Sequence, residues 1–390
     1  MKSRARALCA FSCVMVTLSL LAPAFSEEPA RKDIDWNRAR ELYERDKKGE
    51  TLSADEQAYL DRAKQQRQKG GGRVPDRGNA PSSAPRDSTG LKPLTDMGAD
   101  DKYKGESGGL YGGWLNVPPE AHDRAALKEV ARIEPLDAEG RPAPNGAIVL
   151  VSIGMSNTTQ EFSRFKAMAD RDKEKSPTML IVDGAQGGRD VIDWIDLAGG
   201  KADPVWAEMD KRLKAAGATP GQVQAAWIKQ AIKGPGRLGE FPAPADQLKA
   251  DLMALVILAK THFPNLRLAF LSSRIYAGYA TTPLNPEPHA YESAFAVRWA
   301  IEEQISGNRT LNWDPVRGAI KAPVLLWGPY LWADGIAPRQ SDGLVWKKED
   351  LAGDGTHPSD GSGRDKVAEL LLRFFKTDPH TKPWFFAQAP

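Results

Sequence analysis

Ala147-Ile148-Val149-Leu150-Val151-Ser152-Ile153-Gly154-Met155-Ser156-Asn157 is the stretch on which the fold of this chain turns. Its first seven residues are almost all apolar, without the polar alternation of a half-solvated strand, so they suit a strand covered on both faces. From Asn157 to Glu174 the apolar residues recur at helical spacing instead. A buried strand therefore runs into a helix, and Ser156 stands at the junction.

Four further apolar runs follow, at Thr178–Val182, Val223–Ile228, Leu266–Ser272 and Pro323–Trp327. Helical patterns lie between or after them, at Asp246–Phe263, Tyr291–Ser306 and Ser362–Phe375. Strands alternating with helices predict an α/β fold: a doubly wound, flavodoxin-like, five-stranded parallel sheet with helices on both faces. Ligands of such sheets sit beyond the carboxyl ends of the strands, so chemistry is expected directly after each strand.

Upstream of residue 93 the sequence changes character. Lys2, Arg4 and Arg6 precede an apolar run from Leu8 to Ala22 and the small-residue sequence Ala24-Phe25-Ser26. That order predicts a secretory signal peptide over 1–26, and the run is shorter than the roughly 20 residues of a spanning helix. A secreted or periplasmic protein without stable membrane insertion after cleavage is the expectation; a retained anchor is the alternative. Cys9 and Cys13 both lie inside this leader, so the rest of the chain has no thiol nucleophile, disulfide or thiolate metal site. Residues 27–68 predict a small, charged helical hairpin. Trp36, Ala39, Leu42 and Tyr43 recur at helical spacing, Gly49 interrupts, and Ser53 with Glu56 forms a capping box before Tyr59, Leu60 and Ala63. Residues 69–92, rich in Gly, Pro, Ser and Arg, read as a flexible linker, which leaves 93–390 as the main domain. The chain carries 53 basic and 51 acidic residues. So even a balance offers no broad attraction to nucleic acid or anionic lipid.

Three segments hold the candidate chemistry. After the first strand, Ser156 either caps the following helix or presents its hydroxyl, with the helix N-terminus, to a developing oxyanion. The second glycine of a G-x-S-x-G elbow is missing, which argues against an ordinary α/β-hydrolase. After the second strand comes Asp183-Gly184-Ala185-Gln186-Gly187-Gly188, where adjacent glycines make either a plain turn or a free N–H facing a ligand. Before the last helix stands Asp354-Gly355-Thr356-His357-Pro358. An aspartate three residues ahead of a histidine can hold Nδ1 and leave Nε2 free to take a proton from serine. Of the other histidines, His262 and His380 are expected in solvent and His122 in a polar stretch ahead of the domain. His289, between Glu287 and Glu292, has no second histidine at ligand spacing, so no metal site is expected. The Asp/Gly-rich run 353–363 lacks the spacing of a calcium loop.

These blocks, in this order and on this scaffold, resemble the SGNH/GDSL hydrolases, most closely their sialate O-acetylesterase-like, carbohydrate-esterase branch. In that branch the first block reads Gly-Gln-Ser-Asn and the second Gly-Gly before a tryptophan, as Gly154 to Asn157 and Gly187-Gly188 before Trp194 echo here. The resemblance covers residues 93–390, and the D-x-x-H block is its most specific part. It implies Ser156 as nucleophile, His357 as general base and later acid, Asp354 as the orienting carboxylate, and the N–H groups of Ser156 and Gly187 as oxyanion hole. It further implies an acyl-enzyme, no metal or organic cofactor, and an O-acetyl ester on a carbohydrate as substrate. One block departs. The family's third block supplies a side-chain oxyanion donor, either an asparagine or a Gln-Gly-Glu sequence after a tryptophan. This chain has Trp227-Ile228-Lys229-Gln230-Ala231, with Gln230 as candidate substitute. Losing one such donor typically costs about 10²–10³ in rate.

Asn157, Gln230, Arg189 and Tyr276 are candidate substrate contacts. Arg189 and Arg274, each just beyond a strand, suit a carboxylate or hydroxyl of the ligand, or an ion pair that holds a loop. The chain has 11 tryptophans. Trp114, Trp194, Trp327, Trp332 and Trp346, with Tyr276, Tyr279 and Tyr330, fall near the expected pocket, where they either face a sugar ring or anchor core and loops. Two further readings stand beside the esterase. One is a glycan-binding protein that keeps the fold but not the rate, favoured by the third block. The other is an envelope interaction protein working through the helical hairpin.

Overall fold

A computed structural model describes Leu42, Arg45, and residues 52–70 and 86–387 of the 390-residue chain, which divides into two compact units, 1–72 and 73–390. The expected leader and the first arm of the hairpin, apart from Leu42 and Arg45, lie outside the described residues. In the first unit a helix spans Ala54–Gly70. Ser53 and Glu56 bond reciprocally at its start, at 2.9 and 3.3 Å, which is the expected capping box. Arg45 reaches the same Glu56 at 2.8 Å.

The second unit is built on five parallel strands: β1 (Ile148–Gly154), β2 (Met179–Val182), β3 (Val223–Lys229), β4 (Leu268–Leu271) and β5 (Val324–Trp327). Their order in the sheet is β2-β1-β3-β4-β5. Every residue of β1, β3, β4 and β5 is buried, as continuous apolar runs require. The crossovers are α1 (Ser156–Ala169), α2 (Val191–Ile195), α3 (Ala202–Ala215), α4 (Ala243–His262), α5 (His289–Ile305) and α6 (Ser362–Thr377). Helix α1 packs on α6, while α4 packs on α2 and α5, giving a helical layer on each face of the sheet. Phe162 of α1 stacks on Trp227 of β3 at 5.6 Å, and Phe165 on Phe375 of α6 at 5.1 Å. The doubly wound sheet is thus the one expected.

The chain leaves β1 towards β2 on one side and returns to β3 on the other. The strand order thus reverses between β1 and β3, and ligands of this fold bind beyond the carboxyl ends of the strands at such a point. On the opposite edge, β5 is covered by the segment that precedes the sheet. The Trp327 N–H donates to the Tyr111 hydroxyl at 3.2 Å, and His122 Nε2 bonds the Leu325 carbonyl at 2.8 Å. His122 is therefore a buried edge cap on its own helix (Glu120–Val130), not a residue of a polar approach segment. An uncovered strand edge would invite pairing with another chain.

Residues 86–92 depart from the linker expectation. Arg86 N–H donates to Gly278 O at 2.9 Å, and Asp334 accepts from the N–H groups of Thr89 and Gly90 at 2.7 and 2.8 Å. Composition pointed to flexibility, but a buried carboxylate supplies the acceptors that hold this segment to the domain. Among the described residues no helix is long and apolar enough to cross a membrane.

Candidate active site

The junction between β1 and α1 depends on Gly154. A Cβ there would lie 2.3 Å from Thr158 Oγ1 and 2.5 Å from Lys229 O, so no other residue fits where β1 and β3 converge. Met155 is the N-cap, extended (φ −93°, ψ −165°) and without a side-chain cap, and Ser156 is the first helical residue. Its hydroxyl instead lies 2.6 Å from His357 Nε2. The capping alternative for Ser156 is thereby answered. Being first in α1, its N–H has no intrahelical acceptor and points with the positive end of the helix.

The His357 loop is fastened from two sides. His357 Nδ1 lies 2.5 Å from Asp354 Oδ2, and Asp354 Oδ1 accepts from the N–H groups of Thr356 and His357, both at 3.0 Å. With Nδ1 donating to the carboxylate, Nε2 is the acceptor facing Ser156. Burial works against the charge on Asp354, but the bonds from His357 and Thr356 prevail and hold its carboxyl below the ordinary range. Gly355 takes φ +65°, and a Cβ there would lie 1.9 Å from Tyr279 O. The loop is thus pressed on the segment after β4, where Thr281 N–H donates to Asp354 O at 3.0 Å.

The loop after β2 closes the third side. Asp183 accepts from Ser152 of β1 and Ser163 of α1, both at 2.6 Å, and from Thr159 of α1. Gln186 N–H donates to Gly154 O at 3.0 Å, and Arg212 donates to the carbonyls of Asp183 and Ala185 at 3.0 and 2.8 Å. Gly187, exposed, is held so close that a Cβ built on it would be 3.9 Å from Ser156 Cβ. Neither of the N–H groups of Gly187 and Gly188 bonds another described residue. Gly188, at φ +74°, turns the chain away.

Ser156, His357 and Asp354 thus meet, 201 positions of sequence notwithstanding, with Gly187 beside them. The other candidates fare differently. Arg189 is half-buried two residues beyond Gly187, and its guanidinium makes no bond to a described residue. Gln230 is buried, its Nε2 donating to Arg189 O at 3.4 Å, so it braces the loop after β2. Asn157 is buried on the inward face of α1, with Nδ2 unpartnered among the described residues. Tyr276 is fully buried and donates to Arg86 O at 2.7 Å, which removes it from any substrate surface. Trp194, Trp327, Trp332, Trp346, Tyr279 and Tyr330 are likewise core or loop anchors, and only Trp114 is exposed. The solvent expectation fails for two histidines. His380 is buried between Asp123 and Asp378, 3.0 Å from each, and His262 packs on Trp206 and bonds Asp210 at 2.7 Å. His289 faces Glu292 of its own helix at 3.3 Å.

Two buried charges escaped the sequence reading. The inward stripe of α1 is Asn157, Thr158, Glu161, Phe162, Phe165 and Ala169, polar near Ser156 and apolar beyond. Glu161 there meets Lys229 Nζ at 2.5 Å, both fully enclosed. Burial pushes the Lys229 ammonium down to about 8, against the pull of Glu161. The available signals were a carboxylate on an apolar stripe and a lysine ending an apolar strand. Arg274, also buried, donates to Thr356 O at 3.1 Å, so it holds a loop by its backbone and is not a ligand contact.

No family model matches the chain, nor does any curated protein. Among solved structures, one from Bacteroides fragilis, described provisionally as an acylhydrolase, is similar over 66% of this chain and 96% of that one, at 13% identity and a TM-score of 0.33. A likeness that distant does not assign a family, and it lends nothing to the sialate O-acetylesterase branch in particular.

Proposed function

We propose that the protein is a serine ester hydrolase. One observation carries the reading: the continuous line from the Ser156 hydroxyl through the His357 ring to the Asp354 carboxylate, at 2.6 and 2.5 Å. In the first half-reaction Ser156 Oγ attacks the ester carbonyl while its proton passes to His357 Nε2. The carbonyl oxygen gains the negative charge and meets the N–H groups of Ser156 and Gly187. Collapse breaks the acyl–oxygen bond, and the departing alkoxide takes the proton from His357. Water then repeats the sequence on the acyl-enzyme, releasing the acid and restoring the serine. Two bonds form, two break, and no electrons leave the reacting atoms.

Within that class we infer an O-acetyl ester on a carbohydrate, on the strength of the motif resemblance, and an exported protein, on the basic, apolar and small-residue order of residues 1–26. With the aromatic candidates other than Trp114 committed to the core, sugar recognition would rest chiefly on polar groups, Arg189 foremost. A glycan binder lacking turnover is the weaker reading, because binding needs no proton relay behind a hydroxyl. The test is hydrolysis of an aryl acetate, and of acetylated xylan or acetylated sialic acid, by wild type and Ser156→Ala. A loss of about 10³-fold or more is expected. Equal rates would remove the nucleophile assignment, and cleavage of fatty-acyl esters alone would remove the carbohydrate.

A further inference from the structure

At the end of the sheet opposite Ser156, the chain between α5 and β5 folds around a cationic recess that the ester chemistry does not use. Its two single-turn helices, Arg309–Leu311 and Pro315–Arg317, are capped by the side chains of Asn308 and Asp314, each 2.9 Å from the N–H it holds. Asn312 locks the span between them. Its Nδ2 donates to the carbonyls of Asp314, Gly318 and Ala319 at 3.0, 3.2 and 2.9 Å, and its own carbonyl accepts from the Lys321 N–H at 2.7 Å. The recess beside this fastened loop measures about 690 Å³, the size of a small-ligand cleft.

Arg309, Arg317 and Lys321 line it together with Trp313. All three cations are exposed, and none meets a carboxylate among the described residues. The nearby acids are engaged elsewhere: Asp314 caps its turn, and Glu303 accepts from Asn308 at 2.9 Å and faces Lys249. Arg317 lies over Gly307, where a Cβ would stand 2.7 Å from its Nη2, so a glycine at φ +89° admits the guanidinium. The carboxamides serve the loop itself: Gln304 donates to the Leu311 and Pro323 carbonyls at 3.0 and 2.8 Å, beside the bonds of Asn308 and Asn312. The side-chain groups left for a ligand are therefore positive donors. Trp313 also walls a second cavity of about 200 Å³, where Arg132, Lys260 and Arg267 stand with the carboxylate of Glu129. Burial first, and then the charge of Arg267, push the Lys260 ammonium down to about 8, so positive charge is crowded there.

We propose that this recess is a second binding site, for an acidic oligosaccharide that carries carboxylates on its rings. Arginine forks match carboxylates in two-point contact, and an indole between two cationic cavities offers a sugar ring an apolar surface. A nucleotide is disfavoured because no side-chain carboxamide is free to read a base edge. A bilayer is disfavoured because the cations line a recess, whereas flat headgroups would need them to project. The site lies ahead of β4 and β5, at their amino ends, while Ser156 follows the carboxyl end of β1. A glycan would thus be tethered here and not cleaved here. Binding does not depend on the serine-hydrolase reading.

Calorimetric titration of the full chain with tetragalacturonate, and with galactotetraose as its uncharged counterpart, tests the site. Wild type should bind the acid and not the neutral sugar, and the affinity should fall as salt is raised. In the triple variant Arg309→Gln, Arg317→Gln, Lys321→Gln the affinity should fall about tenfold or more. Its melting temperature should hold, since all three side chains are exposed. Lys321→Glu alone, the milder change to the fold, should weaken binding in the same direction. Ser156→Ala should bind the tetramer as wild type does whether or not hydrolysis is lost, so failure of the hydrolase reading leaves this site standing. No binding by wild type, or equal binding by wild type and both recess variants, would overturn the proposal. Equal affinity for galactotetraose would do the same. So would tighter binding of AMP or of phosphatidylglycerol vesicles that the same substitutions abolish, since the recess would then belong to a nucleotide or a membrane.

Discussion

His357 can accept a proton only while Nδ1 keeps its own, and Asp354 secures that by taking Nδ1–H on one oxygen and two backbone N–H groups on the other. Asp354→Asn keeps the shape but presents an amide that can force the proton onto Nε2. A fall in kcat of about 10²–10⁴ at unchanged fold is expected, read by aryl acetate turnover beside circular dichroism. The same carboxylate carries a stability prediction. Its folded value lies below the ordinary 3.8, so its contribution is fully present above that value and is lost as the pH falls through the folded one. The melting temperatures of wild type and D354N should therefore differ at pH 6 and draw together only as the pH falls below 3.8 towards the lower folded value. At this scale the meeting of Ser156, His357 and Asp354 was legible because Asp354 and His357 are neighbours in sequence and Ser156 marks a visible junction. Glu161–Lys229 and Arg274–Thr356 were not, since their partners lie 68 and 82 positions apart and become partners only through strand order.

At the scale of elements, the loop from Asp354 to His357 depends on one backbone conformation. Gly355→Ala would meet both a positive φ and a Cβ 1.9 Å from Tyr279 O. Because the obstacle is backbone, no rotamer change relieves it, and about 2 kcal/mol or more of stability should be lost. Chemical denaturation of G355A reads that loss. Its residual activity should fall further than the folded fraction does, because the loop carrying His357 must shift. The elements themselves were legible where apolar runs were long: all five strands fall within two residues of their expected bounds. Helix α3 was missed despite a clean buried stripe of Ala202, Val205, Trp206, Met209 and Leu213. Pro204 stands in its first turn, where proline removes no intrahelical bond. The aromatic residues misled in the other direction. A tyrosine beyond a strand looks like a pocket wall, but Tyr276 turns inward because a carbonyl from residue 86 is there to accept its hydroxyl.

On the scale of the whole molecule, residues 86–90 are a strap whose reach extends to the chemistry. The Ser88 hydroxyl, the Thr89 hydroxyl and N–H, and the Gly90 N–H all converge on the carboxylate of Asp334, which is 4% exposed. Asp87 accepts from the Tyr279 hydroxyl at 2.8 Å and, through its carbonyl, from Ile336 N–H at 2.8 Å. Tyr279 is the residue whose carbonyl faces Gly355, so the strap supports the segment on which the His357 loop rests. A chain beginning at residue 86 should keep the melting temperature and activity of one beginning at 73. A chain beginning at residue 91 strands the Asp334 carboxylate without these four donors, and a buried charge deprived of partners costs several kcal/mol. Its melting temperature should drop by about 5 °C or more, and hydrolysis should drop with it. Adding Asp334→Ala to the shorter chain removes the stranded charge and should recover part of the stability but not the activity, because Tyr279 still lacks Asp87. If the chain beginning at 91 melts and turns over like the one beginning at 86, the strap is ornamental and the domain starts later than its hydrogen bonds indicate.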